Sequence, residues 1–326
     1  MTLSMTLNRN AASATEDRLA QMRGYAFVNG EFCPLHDAKI SVLDYGFIHS
    51  DATYDAFHVW KGMAFRLHDH VERFVGNVAK LRLQLEYSGK EIAEILLECV
   101  SRSTLRDAQC HFVCTRGVPR PGSRDPRTCI NTFLAYVVPF AWINPPDIGK
   151  SDGIDVIISR TQRIPPTSLD PRIKNFHWLD LVVAQFEAFD RGADNVILPN
   201  SEGNVTEGPG FNVFVAKNGS IATPESGVFE GMTRRSVIEL CGELKIAVEI
   251  RPIKIEELKS ADEVFLTSTA GGVTRVRSVD GSPVGLNRRT GDNQLLSAII
   301  SDRYWQRKTA GWYATPVNYS DADRTL

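Results

Sequence analysis

The chain has 326 residues, 43% hydrophobic and 23% charged, and its 37 Lys and Arg against 39 Asp and Glu leave a formal net charge of −2. That length predicts about two domains, and the composition excludes a wholly disordered chain. So even a charge balance argues against a general electrostatic grip on nucleic acid or anionic membrane, and no apolar run approaches the roughly 20 residues of a membrane span.

The first twenty residues lack an apolar core and do not read as a signal peptide; a frayed tail is expected over residues 1–22. The six cysteines, Cys33, Cys99, Cys110, Cys114, Cys129 and Cys241, include no CxxC pair. Free thiols in a reducing cytoplasm are therefore expected.

In chain order, Asn29-Gly30 and Lys61-Gly62 each separate two strand-like runs and predict hairpins. Asp69, with Glu72 three residues on, predicts a helix start, and Val71, Phe74, Val75, Val78 and Leu81 follow at helical spacing. A second helix fits residues 90–101. Residues 109–116 and 131–139 read as strands, separated by a Gly-, Pro- and Arg-rich loop at 117–127.

The stretch 140–153, with two adjacent prolines, is the best linker in the chain. Beyond it, residues 154–161 read as a strand, and 179–191 as a helix that stops at Gly192. Strands fit residues 195–198, 211–217, 221–223, 247–251 and 263–268, and helices fit 233–244 and 293–306. Asn218-Gly219 and Asp280-Gly281 mark further hairpins. Hairpins outnumber βαβ units, so the fold class is α+β. Residues 1–139 form a small domain, 140–149 an interdomain linker and 150–326 a larger domain.

Walker A, HExxH, GxSxG and GxGxxG motifs are absent. The triplet His68-Asp69-His70 suggests a metal site, but Asp69 reads better as a helix cap and neighbouring helix residues point apart, so no metal is expected. Lys174 sits among Phe176, Trp178 and Leu179. Desolvation there disfavours the ammonium form and makes the amine nucleophilic; a solvated lysine before a helix is the plainer alternative. Glu207 precedes Gly-Pro-Gly, where backbone can approach a ligand closely, or where a turn simply carries a carboxylate. Gly231, Met232, Thr233 and Arg234 open a helix whose free N–H groups make a candidate anion site, or simply a helix capped by Thr233. The run from Thr267 to Gly272 ends a strand in hydroxyls and glycines, a second possible phosphate cradle.

The segments DYGFIHSDATYDAFHVWKGMAFRLHDHVERF (44–74), SLDPRIKNFHWLDL (168–181), TEGPGFNVFV (206–215), GMTRRSV (231–237) and TSTAGGV (267–273) resemble the fold-type IV pyridoxal-phosphate family. Its members include branched-chain and D-amino-acid aminotransferases and aminodeoxychorismate lyase; the resemblance is nearest to the (R)-selective amine transaminases. It covers residues 23–310.

The resemblance implies a two-domain fold-type IV enzyme, with a closed hairpin-rich sheet in the larger domain and pyridoxal 5'-phosphate between the domains. It implies that Lys174 holds the cofactor as a Schiff base and shuttles the proton, that Glu207 faces the pyridine nitrogen, and that Arg73, Met232, Thr233, Ser268 and Thr269 hold the phosphate. His49, Tyr54, His111 and Trp178 are implied to line the substrate pocket. Arg120 or Arg124 is implied to bind a keto-acid carboxylate, with Arg127 a weaker candidate.

The implied reaction is a ping-pong transfer from an (R)-configured primary amine to a keto acid such as pyruvate, in a homodimer with shared sites. The alternatives are a D-amino-acid or branched-chain aminotransferase, then aminodeoxychorismate lyase, then a binder of the cofactor without turnover. Three departures stand out: Pro209 replaces a small hydroxyl residue two positions after the glutamate, Phe229 is the apolar residue before the glycine of the phosphate loop, and the loop after strand 109–116 differs most, with Arg120, Arg124 and Arg127 competing for the carboxylate.

Overall fold

The computed structural model describes residues 17, 18, 21–144, 153–285 and 294–319. The expected tail at 1–22 lies largely outside the described residues, as does the expected linker from residue 145 on.

The chain opens with β1 (Tyr25–Val28) and β2 (Glu31–Pro34), paired through Asn29-Gly30. Both turn residues have positive φ, +54° and +81°, the signature of a type I′ turn matched to strand twist. A short helix α1 (Tyr45–Ile48) leads into β3 (Ala52–Trp60), which turns at Lys61-Gly62 into β4 (Met63–Phe65). Helices α2 (Leu67–Lys80) and α3 (Gly89–Ser103) follow, then the long strands β5 (Ala108–Val118) and β6 (Ile130–Pro139).

Helix α3 carries a full capping box between Ser88 and Glu91, which satisfies two backbone donors that the helix leaves free. Helix α2 differs from expectation. It begins at Leu67, with Arg66 as N-cap at φ +53°, so Asp69 is not the cap. Asp69 Oδ2 instead accepts from Arg66 Nη1 at 2.6 Å, because the tight exit from β4 buries the Arg66 guanidinium and that charge needs a partner.

In the second half, β7 (Ile154–Ile158) precedes α4 (Leu179–Asp190), then β8 (Asn195–Ile197), β9 (Glu207–Gly208), β10 (Phe211–Lys217) and β11 (Ser220–Thr223). Helix α5 (Met232–Leu244), β12 (Val248–Ile250) and the short helix α6 (Ile255–Lys259) come next. The chain continues through β13 (Glu263–Ser268), β14 (Gly272–Val279) and β15 (Ser282–Pro283), then α7 (Leu296–Thr309) and β16 (Ala314–Pro316). The expected start of the last helix, Asn293, lies outside the described residues. Strand β14 has no counterpart among the expected strands, because its glycine-rich start hides a run that is half polar.

Among the described residues the strands form two sheets. The first runs β16-β4-β3-β5-β6-β1-β2, and the second β12-β11-β10-β13-β14-β7-β8 with β15 and β9 attached. The end strands of the second sheet do not pair with each other. The segment at 204–205 ties them, bridging Pro199 after β8 and Lys254 after β12, so the sheet curls toward closure. Helices α2 and α3 cover the first sheet over a core that includes Phe57, Phe74, Leu96 and Phe112; each such side chain contributes roughly 1.5–3 kcal/mol.

The two sheets are joined by an aromatic seam and by buried charge. Trp60 packs on Phe140, Trp142 and Trp305 at ring-centre distances of 5.8, 6.1 and 5.2 Å. Arg66, fully buried at the start of α2, donates to Ser236 Oγ at 2.8 Å and pairs with Glu239, both on α5. The carboxyl-terminal strand β16 returns to the first sheet against β4. These contacts set β3 opposite β13 and α5, with a cleft between them.

Candidate active site

Lys174 lies in irregular chain, yet its backbone is held firmly. Its carbonyl accepts from the Tyr54 N–H at 3.2 Å and from Thr53 Oγ1 at 2.7 Å, and Thr53 bridges to Asn175. The segment thus docks on β3 like an extra half-strand. The Lys174 amine stands 4.4 Å from the Tyr54 ring centre and 4.7 Å from that of Phe229. Aromatic faces stabilise an ammonium there without pinning it by a salt bridge. Tyr54 in turn stacks on Phe176 at 4.5 Å.

Glu207 sits where β9 turns into β10. Pro209 and Gly210 (φ +80°) occupy the turn, which suits Pro followed by a residue of positive φ. At Gly208 a Cβ would meet Val196 O at 2.3 Å, so only glycine fits. The carboxylate is 5% exposed. Its Oε1 accepts from Arg163 Nε at 3.0 Å and its Oε2 from the Phe229 N–H at 2.8 Å. Arg163 Nη1 also donates to Asp180 Oδ2 at 2.6 Å. Burial pushes the Glu207 carboxyl up, while Arg163, the Phe229 N–H and Lys174 pull it back.

At the other end, Arg73 on α2 forks onto Asp55 on β3, with Nε–Oδ2 2.7 Å and Nη2–Oδ1 2.8 Å. Its Nη1 donates to the Glu230 carbonyl at 2.8 Å, and its guanidinium lies 4.4 Å from the Phe229 ring centre. His70 Nδ1 stands 2.8 Å from Asp55 Oδ1. Burial works against the Asp55 charge, but Arg73 and His70 outweigh it and hold the carboxyl well below the usual range. Burial likewise pushes His70 down, with Asp55 pulling the other way. Arg73 is therefore aimed by a fixed anion, as a planar donor fork requires.

Helix α5 points its N-terminus at the same end of the cleft. Asn212 on β10 latches the incoming chain, donating from Nδ2 to the Phe229 carbonyl at 2.6 Å and accepting from the Gly231 N–H at 3.2 Å. The latch leaves the first N–H groups of α5 open to the cleft, where helix dipole and donors favour an anion.

One cleft of about 1040 Å³, solvent at its mouth included, brings together Tyr54, Arg73, His111, Lys174, Trp178, Glu207, Met232, Thr233, Ser268 and Thr269. His111 stacks on Tyr136 at 4.9 Å, and burial, with Lys174 nearby, pushes it down to about 4. His49 does not reach this cleft; it is exposed beside Tyr45. Arg120 and Arg124 are exposed on their loop, and Arg127 pairs with Asp125; none of the three lines the cleft. Ser268 lines it, but its hydroxyl donates to the Gly210 carbonyl at 2.9 Å.

The sequence reading missed Arg163, Asp55, His70 and Asn212. Arg163 sits in a Pro-rich loop with no periodicity, and Asp55 interrupts an apolar strand. A lone acid at an inward strand position is the signal that could have exposed Asp55. Among the described residues no group of three or more His, Cys, Asp and Glu could hold a metal ion.

Fold and site together define an enzyme that binds a phosphorylated cofactor beside an amine. The model of the family described as "Amino-transferase class IV" matches residues 52–279, and the chain belongs to that family. It is 34% identical over 269 residues to a putative branched-chain-amino-acid aminotransferase of Methanocaldococcus jannaschii, covering 82% of this chain and 91% of that protein. It is 29% identical over 259 residues to a D-alanine aminotransferase of Bacillus licheniformis, covering 79% and 89%. The crystal structure of a T.th. branched-chain amino acid aminotransferase with pyridoxamine 5'-phosphate superposes with a TM-score of 0.82 at 27% identity, covering 91% of this chain and 99% of that one. The fold is fold-type IV, and the cofactor is pyridoxal 5'-phosphate.

The residues present fit that cofactor. Thr267 lines the cleft and carries a buried hydroxyl with no partner among the described residues, as expected of a group shaped for an oxygen-rich ligand. Arg73, Thr233 and Thr269 would hold the phosphate, Glu207 the ring nitrogen and Lys174 the aldehyde carbon. When bound, the cofactor supplies an electron sink for negative charge at the donor carbon. Lys174 would be the base within reach to move a proton there, and Glu207, braced by Arg163, would keep the ring nitrogen protonated.

Proposed function

We propose that the chain passes the amino group of an α-amino acid with an apolar side group, branched-chain or of D configuration, to a keto acid in a ping-pong cycle. One observation carries this reading. The Lys174 amine stands between a buried carboxylate–arginine pair and an anion cup, and the free wall beside it is apolar or uncharged: Tyr54, Trp178, Ile143 and neutral His111. The aminotransferases named above support the same donors.

A second reading is favoured by a separate observation. Among the described residues, the cleft's cations are Arg73, Arg163 and Lys174, and both arginines are committed to carboxylates. An (R)-configured primary amine, which brings no carboxylate, fits such a wall without leaving a charge unpaired. The keto acid is then held by a mobile loop arginine, Arg120 or Arg124.

The deciding experiment is a donor panel with pyruvate or 2-oxoglutarate as acceptor: L-leucine, D-alanine, D-glutamate and both enantiomers of 1-phenylethylamine. Turnover of amino acids alone supports the first reading; turnover of (R)-1-phenylethylamine at a comparable rate supports the second. No half-reaction with any donor, in a preparation that takes up the cofactor, removes both. Borohydride reduction should fix the cofactor to Lys174, and Lys174→Ala should abolish transfer.

The proposed assembly is a homodimer. Val42, Leu43, Phe47 and Leu179, Val183, Phe186 are exposed between 57% and 80%, a surface that a monomer does not leave to water. His49 borders the first group, and in the proposed dimer it would be supplied to the partner's site. Sedimentation should return twice the chain mass. The six cysteines are free thiols, which supports a reducing compartment such as the cytoplasm, and no helix among the described residues is long and apolar enough to cross a membrane.

A further inference from the structure

Behind the turn that carries Thr269, two basic side chains are buried without hydrogen-bond partners among the described residues. Lys308 on α7 is 6% exposed and His58 on β3 is 2% exposed; neither the amine nor either ring nitrogen has a partner. The Lys308 amine lies among ring faces, 4.2 Å from the centre of Trp305, 5.0 Å from Trp60 and 5.9 Å from Phe65. His58 stacks on Phe65 at 5.3 Å and faces the Thr269 backbone carbonyl. Trp305 supports the same turn from behind: a Cβ on Gly272 would lie 3.3 Å from its Cζ2. The front of that turn, at Ser268 and Thr269, lines the cleft.

A buried ammonium without a carboxylate is costly, and aromatic faces offset only part of that cost. Burial pushes Lys308 down to about 7, with Asp107 pulling the other way. Burial, Lys308 and His70 drive His58 well below its usual value, opposed only by the Thr269 carbonyl. At neutral pH His58 is therefore neutral, and Lys308 gives up its proton far more readily than a solvated lysine. Asp107, at the entry to β5, does not neutralise the amine directly: its Oδ1 accepts from the Lys61 N–H at 2.7 Å.

We infer that Lys308 is a proton-binding positioning residue for the phosphate cup: an anion docked at Thr233 and Thr269 draws a proton from solvent onto the Lys308 amine, and the charge so formed tightens the cup. The inference rests on reading the cup as the cofactor's phosphate site. Linkage sets the sign. A group whose proton affinity rises on binding takes up protons as ligand binds, and ligand affinity falls as pH rises past the point where the free group has lost its proton. Lys308 places that fall above about pH 7.

The test is calorimetric titration of the cofactor-free protein with pyridoxamine 5'-phosphate. This ligand carries an amine in place of the aldehyde and forms no bond to Lys174. Buffers of different ionisation enthalpy, from about pH 6 to about pH 9, give the proton count. Wild type should take up protons most strongly above neutrality and bind more weakly as pH rises. Lys308→Met should lose that part of the uptake, bind several-fold more weakly near neutrality and flatten the pH dependence. Lys308→Arg, charged throughout, should keep its affinity at high pH without the uptake. Equal proton counts in wild type and Lys308→Met, with binding intact, overturn the inference, as does zero uptake by wild type across the range. Should the Met variant fail to fold, Lys308→Gln makes the same comparison. Failure of wild type to bind the ligand at all removes the reading of the cup instead.

Discussion

Arg163 and Glu207 form an ion pair inside the wall of the cleft, Nε to Oε1 3.0 Å, with side chains 10% and 7% exposed. The pair spans 44 residues of sequence. Among the described residues Glu207 is the carboxylate that lines the cleft, and Arg163 works against the rise that burial imposes on it. Burial alone favours a neutral carboxyl, which cannot hold a proton on the ring, and Arg163 is the largest opposing influence.

Replacing Glu207 by Gln is therefore expected to lower the rate about 100-fold or more while changing cofactor affinity far less, since the charge acts mainly at the transition state. Single-turnover kinetics beside cofactor titration separate the two. Near-normal turnover would assign Glu207 a turn role only.

Arg163→Gln leaves the carboxylate buried without its partner. The Glu207 proton affinity should rise further, so the acid limb of the kcat/KM profile should move to higher pH by about one unit or more. Loss of the buried pair should also lower stability by roughly 3–5 kcal/mol. An unmoved acid limb in a folded variant would detach Arg163 from the chemistry.

Asp55 provides a stability prediction with a definite sign. Its folded carboxyl is held below the unfolded value, so its contribution is present above the unfolded value of about 3.9 and is lost as pH falls through the folded one. At neutral pH Asp55→Asn should cost about 3–5 kcal/mol by leaving Arg73 unpaired, and the cofactor should dialyse away faster. Thermal melts from neutral to acid pH should show the gap between wild type and variant shrinking below about pH 4. A gap that persists unchanged would place the loss elsewhere.

The Asn212 latch is open to a double-mutant test. A Cβ on Gly231 would lie 2.3 Å from Asn212 Oδ1, so Gly231→Ala should loosen the segment at 229–231 and weaken cofactor retention. Asn212→Ala removes the obstacle along with the latch. The two changes together should be less harmful than their sum by about 0.5–3 kcal/mol in cofactor binding. Strict additivity would show that the two residues do not meet.

The loop arginines make a kinetic prediction. If Arg120 or Arg124 pairs with the keto acid, its replacement by Ala should raise the pyruvate KM about tenfold or more, the value of a charged hydrogen bond, and leave the donor KM nearly unchanged. Unaltered pyruvate kinetics in both variants would place the carboxylate on other groups.

Much of the site was legible in the sequence because its chemistry is local. A glycine that must turn sharply, a helix start that must expose its N–H groups and a lysine set among aromatics are written in neighbouring residues, and 44–74, 168–181, 206–215, 231–237 and 267–273 carried the family resemblance. Hairpins were equally plain, since Asn-Gly and Lys-Gly take positive φ at both turn positions. The start of α2 was misplaced because the N-cap residue is Arg66, which makes no side-chain cap; its guanidinium draws Asp69 and anchors on α5 instead, and spacing along α2 says nothing about that partner.

What the sequence by itself marked is a set of candidate groups, among them Arg73, Lys174, Glu207, Thr233 and Thr269, that the fold brings into one cleft. Which groups hold them in place was decided by the tertiary structure: Arg163 behind Glu207, Asp55 and His70 behind Arg73, and Asn212 behind the start of α5. A residue that meets a ligand is marked by the backbone geometry that the ligand demands. A residue that steadies another needs only the right charge at the right distance, and any stretch of chain that the fold brings there can supply it.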